Sequence, residues 1–405
     1  MSGFARLLGG AMLMLACGGA IAAATDAEPQ PVQTLAAWRQ VIASGAPTPL
    51  DALTPYGKRR FIDSMRWGER GLGGFSTAPL VRELDERELG AVLRWLDAGA
   101  YQAMLARGIV GAPLRLPAPS ADVDARLVQF ERFVDDEHAR RRDADAPATA
   151  VGSPAVLQRW RELFGNRMGA AALARQPTGD LLPLFDAASR ADDDNPDSPA
   201  FAELLLIHRA LAARGIDTRR TLDATVLDAL LAARRFEEAR AFAAARPHLG
   251  QAVPLVDNAL APDFAGRSVF DYDAARNTLR RSALPYPSGT ELVMVVGAGC
   301  HFSQDALQAI ATDAAFQARL RGARLLLVTP PRAPIPLGYI AAWNAAHPAL
   351  PIRIPADARA WQAVDVQGTP EFYLLDQGRR IGKVSGWPAA GNRAAVLGLA
   401  DGAAP

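Results

Sequence analysis

The chain has 405 residues, half of them hydrophobic and 21% charged, with a formal net charge of +1. That length accommodates two or three domains, each with an ordinary apolar core. Acids and bases are interspersed and nearly balanced, which leaves no electrostatic basis for binding nucleic acid or an anionic membrane.

Residues 1–24 stand apart from the rest. Arg6 supplies a positive start, "LLGGAMLMLA" an apolar stretch and "AIAAA" a run of small residues suited to cleavage. This layout predicts a secretion signal and an exported protein, periplasmic in a Gram-negative source. The apolar stretch is short and broken by glycine, so an uncleaved membrane anchor is the alternative. Cys17 lies inside this segment. In "LMLAC", Met14 and Leu15 fit a lipidation signal poorly, and removal with the signal is preferred over a lipoprotein. Either fate leaves Cys300 as the free thiol of the mature chain, because the sequence holds only 2 cysteines. An unpaired cysteine in an oxidising compartment points to a reactive or intermolecular thiol.

Residues 34–115 read as a small helical domain. "TLAAWRQVIASG" has helical apolar spacing and a glycine stop, and Trp67, Phe75 and Trp95 are its expected core anchors. "GLGGFS" lacks the spacing of a phosphate loop, so Gly71, Gly73 and Gly74 are expected in a tight turn between helices. Residues 120–150 begin as a charged helix containing His138, read as a solvated face. They decay into an Asp/Ala/Pro-rich linker around Arg141 to Pro154.

Residues 153–250 form a second helical block. Its last segment resembles a tetratricopeptide-type hairpin, with Ala233, Phe236, Glu238 and Ala239 at suggestive positions and Pro247 as terminator. Stacked hairpins and an irregular bundle both fit. Asp192, Asp194 and Glu203 faintly echo a calcium loop. Pro196 and Asp197 break that pattern, and a polar loop with Ser198 capping the next helix accounts for it better.

After "APDFAGRSVFDYDAARNTLRRSALPYPSGTE" the periodicity changes. "LVMVV" reads as a buried strand, "SQDALQAIATDAAFQARL" as a helix, "ARLLLVTP" as a strand and "GYIAAWNAAHP" as a helix ending near His347. "PIRI" follows as a strand, then "EFYLLD" and "RIGKVSG" as a hairpin and "PAAGNRAAVLGLA" as a helix. The expected fold class is therefore multidomain, an α-helical N-terminal region followed by an α/β domain over 265–400.

Strand–"GAGC"–helix followed much later by "VQGTPEFYLLDQGRRIGKVSGW" resembles the thioredoxin superfamily. The resemblance covers about Thr290 to Ala400 and nothing before it. It implies that Cys300 is the nucleophile position, that Thr369-Pro370 is a cis-proline pair lining the substrate groove, and that Gly386 follows the last strand. The family's second cysteine is replaced by Ser303, and the aromatic residue before the first by Gly299.

A hydroxyl cannot perform thiol exchange, so a dithiol cycle within one chain is excluded. Single-thiol chemistry remains. The helix dipole would stabilise a Cys300 thiolate, a protonated His301 would add to that, and the Ser303 hydroxyl would donate to the sulfur. The catalytic candidates are Cys300, Ser303 and His301, with Thr369 and Pro370 for substrate. The expected partners are disulfide- or thiol-containing proteins, with glutathione as an alternative source of the second thiol. The rival reading is a non-catalytic scaffold with an inert "CHFS". No cofactor or metal is expected, since Cys300 and His301 are adjacent and no further ligand set accompanies them.

Overall fold

The computed structural model describes residues 31–68, 71–143, 152–196, 198–261 and 263–402. The expected secretion signal, Cys17, Asp197 and much of the expected linker lie outside these residues.

In the first unit, helices Leu35–Ser44, Pro55–Ser64, Ala78–Glu83 and Glu86–Trp95 close around Trp38, Phe61, Leu80, Leu93 and Trp95. Thr34 starts the first helix by accepting the Ala37 N–H at 3.2 Å, and Gly45 ends it at φ +64°. The glycine-rich stretch departs from the expected inter-helix turn. Strands β1 (Arg66–Gly68) and β2 (Gly71–Gly74) pair antiparallel, so the glycines themselves form a strand. Gly71 explains why the stretch can extend here: it sits at φ +116°, and a Cβ on it would meet the Gln33 carbonyl at 3.0 Å. Trp67 is half-buried and packs on Trp38 with ring centres 6.0 Å apart.

The second unit is helical. Ala121–Asp143, Pro154–Phe164, Thr178–Asp194 and Pro199–Ala213 pack around Phe130, Trp160, Phe164 and Phe185. Arg141, placed by sequence at the start of a linker, still belongs to the long helix. Ser198 accepts the Ala200 N–H and caps its helix, while Glu203 receives the Trp160 indole N–H at 2.6 Å. Helices Leu222–Ala232 and Phe236–Ala244 form a hairpin whose turn places Arg234 at φ +60°.

The remainder builds one eight-stranded sheet from β3 (Leu255–Asn258), β4 (Ser268–Asp273), β5 (Thr278–Ala283), β6 (Thr290–Val295), β7 (Leu326–Val328), β8 (Ile352–Pro355), β9 (Glu371–Asp376) and β10 (Arg379–Ser385). Its order is β10-β9-β6-β7-β8-β4-β5-β3. Strands β6, β7 and β8 are parallel neighbours, β9 runs antiparallel to β6, and β10 returns from β9 as a hairpin. Strands β3 to β5 extend the sheet beyond the expected set. The expected helix over Ser303–Leu320 is two helices, His301–Thr312 and Ala314–Gly322, because Asp313 breaks the first and accepts the Phe316 N–H to start the second.

Alternation along the strands fills both faces of the sheet. Leu292, Met294 and Phe372 face helix His301–Thr312 through Ala306, Leu307 and Ile310. Val293, Val295, Tyr373 and Leu375 pack on the other side with Trp361 and Val364. The first face is continuous with the core of the second helical unit. Phe236 of the helical hairpin meets Phe270 of β4 edge to face at 5.5 Å, and both are almost fully buried.

Candidate functional site

Strand β6 ends at Val295, and the chain turns through "VGAG" before helix His301–Thr312. Gly299 stands at φ +77°, which explains why no aromatic residue precedes the cysteine. Gly297 is forced by close approach: a Cβ there would lie 2.1 Å from Thr369 Oγ1 and 3.2 Å from the Cys300 Cβ. The turn delivers Cys300 as the residue capping the helix, in an extended conformation and half-buried.

At that position the sulfur lies at the helix N-terminus, where the backbone N–H groups of Phe302 and Ser303 have no partner within the helix and favour its charged form. Ser303 is fully buried, and its Oγ accepts the Gly297 N–H at 3.1 Å. The Ser303 hydroxyl also favours the charged form of the sulfur. The Cys300 thiol donates to the Thr369 carbonyl at 3.1 Å, a contact that favours the neutral form.

Burial pushes the thiol up. Hydrogen bonds from the Thr369 side chain, the Ser303 N–H and hydroxyl, and the Phe302 N–H outweigh burial and hold the thiol below its ordinary value.

Thr369 and Pro370 reach the site from the loop before β9. Their peptide is cis, the Gly386 N–H donates to the Pro370 carbonyl at 2.8 Å, and Gly386 itself sits at φ +79°. Pro370 is buried, so the backbone presented beside the thiol is that of exposed Gly368 and half-buried Thr369. The structure thus brings Ser303, Thr369 and Pro370 around Cys300. His301 lies elsewhere: as the first residue of the helix it points outward, is exposed, and stacks on exposed Phe302 at 3.8 Å. Among the described residues no hydrogen bond joins it to the sulfur.

Two neighbours carried no sequence signal. Tyr339, from helix Leu337–Ala346, has its phenol pushed up by burial and then by the negative charge of Cys300. Asp365 anchors the loop that carries Thr369. Among the described residues, no group of three or more His, Cys, Asp or Glu side chains is arranged to hold a metal.

A central β6 flanked by parallel β7 and antiparallel β9, a β9–β10 hairpin, a cysteine capping the helix after β6 and a cis-proline opposite it together define a thioredoxin-like α/β fold in the C-terminal half. No protein-family profile matches the chain, and no curated protein matches it. Among solved structures, the chain is similar to a thioredoxin-like protein from Bacteroides caccae at 15% identity, covering 72% of this chain and 99% of that one with a TM-score of 0.23. It is also similar to the C-terminal domain of an uncharacterized protein from Bacteroides fragilis at 15% identity, covering 36% and 96% with the same TM-score of 0.23. Scores this low carry no weight on function, and the fold assignment rests on strand order and the cis-proline.

Proposed function

We propose that this is an exported single-thiol protein in which Cys300 exchanges disulfides on protein substrates. The observation that carries the reading is the half-buried sulfur at a helix N-terminus, held below its ordinary pKa by two backbone N–H groups and the hydroxyls of Ser303 and Thr369. The Cys300 thiolate attacks one sulfur of a substrate disulfide. A mixed disulfide forms on Cys300 and the other substrate sulfur leaves as thiolate. Ser303 cannot resolve this intermediate, so a second substrate thiol or glutathione attacks it and regenerates the Cys300 thiolate. When the second thiol belongs to the same substrate, the cycle is an isomerisation with no net change of oxidation state. Extended substrate backbone pairs with the edge offered at Gly368 and Thr369.

Alkylation of the folded protein by iodoacetamide across pH tests this. The half-point is expected below the value of about 8.5 for a free cysteine, and Ser303→Ala is expected to raise it. Disulfide-scrambled ribonuclease should be captured as a mixed disulfide that Cys300→Ser abolishes. A folded protein whose thiol resists alkylation at neutral pH would overturn the proposal. A binding role without chemistry is favoured by the core that the thioredoxin-like half shares with the helices. In that reading, partner capture survives Cys300→Ser.

A further inference from the structure

The groove beside Cys300 depends on where the loop 365–370 stands, and that loop carries a concentration of side-chain bonds at Asp365. Asp365 is only 6% exposed. Its carbonyl lies 2.8 Å from the Tyr373 hydroxyl, and its carboxylate takes the Gln367 side-chain amide at 3.1 Å and Arg332 at 3.3 Å. Gln367 in turn donates its N–H to Glu371, itself buried and paired with Lys383 at 2.8 Å. All of these groups belong to the thioredoxin-like half. The remaining partner does not: Arg141, in the last turn of helix Ala121–Asp143, lays its guanidinium fork across Asp365, Nη2 on Oδ1 and Nε on Oδ2 at 3.3 Å. The contact spans 224 residues of sequence and is largely shielded from water on both sides.

A second tie holds the loop that follows β7. Arg234, in the turn of the helical hairpin, donates to the carbonyls of Pro331 (3.2 Å), Ala333 (3.0 Å) and Pro355 (3.2 Å). Burial lowers its pKa to about 10. The segment it grips carries Arg332, which also reaches Asp365, and leads into the helix bearing Tyr339. The loop before β9 and the loop after β7 are therefore each fastened to the helical half through an arginine, while the sulfur's own hydrogen bond comes from within the thioredoxin-like half.

We infer that Arg141 is a positioning residue, through which the helical half sets the cis-proline loop to accept an extended disulfide-bearing peptide. Arg234 sets the loop after β7 in the same way. The inference rests on the exchange reading for its substrate class, and its structural part stands apart from that reading. A bidentate guanidinium–carboxylate pair fixes orientation as well as distance, which a lysine does not reproduce.

Hydrogen exchange of the full chain decides the structural part whatever Cys300 does. Arg141→Met should raise amide exchange about tenfold over residues 366–369 while leaving 292–296 unchanged, and Arg141→Lys should fall between. Unchanged exchange over 366–369 in a folded variant overturns the inference, as does an equal rise throughout the sheet. If Arg141→Met does not fold, Arg141→Lys carries the same comparison. Kinetics test the substrate class: Arg141→Met should slow exchange with a cystine-linked peptide about tenfold and leave iodoacetamide alkylation and its pH profile within about twofold. Equal peptide rates in wild type and variant overturn Arg141's role in substrate acceptance. A wild-type protein that alkylates yet exchanges with no disulfide counts against the exchange reading instead, and the hydrogen-exchange result still stands or falls alone.

Discussion

The two helical units are attached to the rest of the molecule by different physics. The second unit joins the sheet mainly through apolar contact, Phe236 on Phe270 inside one buried cluster shared by both, to which the Arg141 and Arg234 ties are added. The small first unit has its own core and meets the second across a polar seam. Arg220 is almost fully buried there and donates to the carbonyls of Val81 (2.7 Å) in helix Ala78–Glu83, of Leu84 at its exit and of Gly111 (2.9 Å) further along the chain. Arg82 pairs with Asp186 at 2.6 Å, Arg60 pairs with Glu131, and a cavity of about 610 Å³ lies between them. An apolar joint makes two units fold as one, whereas a polar seam lets them keep separate stabilities.

The largest effect that could break this comparison comes from the apolar joint. Phe270→Ala should cost about 3–5 kcal/mol and lower a single calorimetric transition shared by the second helical unit and the sheet. Two resolved transitions for these parts would mean they are not fused. Next comes the seam. Arg220→Met leaves the Val81, Leu84 and Gly111 carbonyls without their donor, at a cost of about 2–3 kcal/mol. Limited proteolysis should then release the first unit while the thioredoxin-like half stays intact. Joint loss of both would erase the distinction.

The smallest effect concerns acid. Asp223 is buried among His208 (2.6 Å), Arg246 (3.0 Å) and His248 (3.0 Å). Burial pushes its carboxyl up, and the bonds from His208, Thr218 and Arg246 outweigh that and bring it down to about 2. A folded-state value below the unfolded one stabilises the fold above pH ~4 and withdraws that stability as pH falls towards 2, about 2 kcal/mol in all. Circular dichroism should show helix loss across that window, and Asp223→Asn should flatten its pH slope. An unchanged slope would remove Asp223 from the account.

The thioredoxin-like half was legible because its signals are local. A β-branched run, two glycines and a cysteine at a helix start identify one end of the site, and "GTP" before a strand identifies the other. Strand β5 escaped because "TLRRSA" buries little beyond Leu279 and reads as charged loop. The glycine-rich β2 escaped because its pairing needs a backbone that sequence reading assigns to turns. His301 looked like a partner for the thiol by adjacency, but neighbours on a helix point apart, whereas Ser303, two residues further on, turns back under the sulfur. Arg141 and Asp365 are two unremarkable charges in the sequence. Only the fold, which brings the end of the long helix to the loop before β9, makes them a pair.

The sheet also has a consequence at its rim. Strands β3 to β5 occupy the side of β8 that would otherwise be an open border, leaving β10 and β3 as the two free margins. Unpaired strand margins invite self-association. β10 presents Arg379, Arg380 and Lys383 and is kinked where the pairing slips between Arg380 and Gly382; β3 has only four residues. Both margins are thus poor templates for another strand.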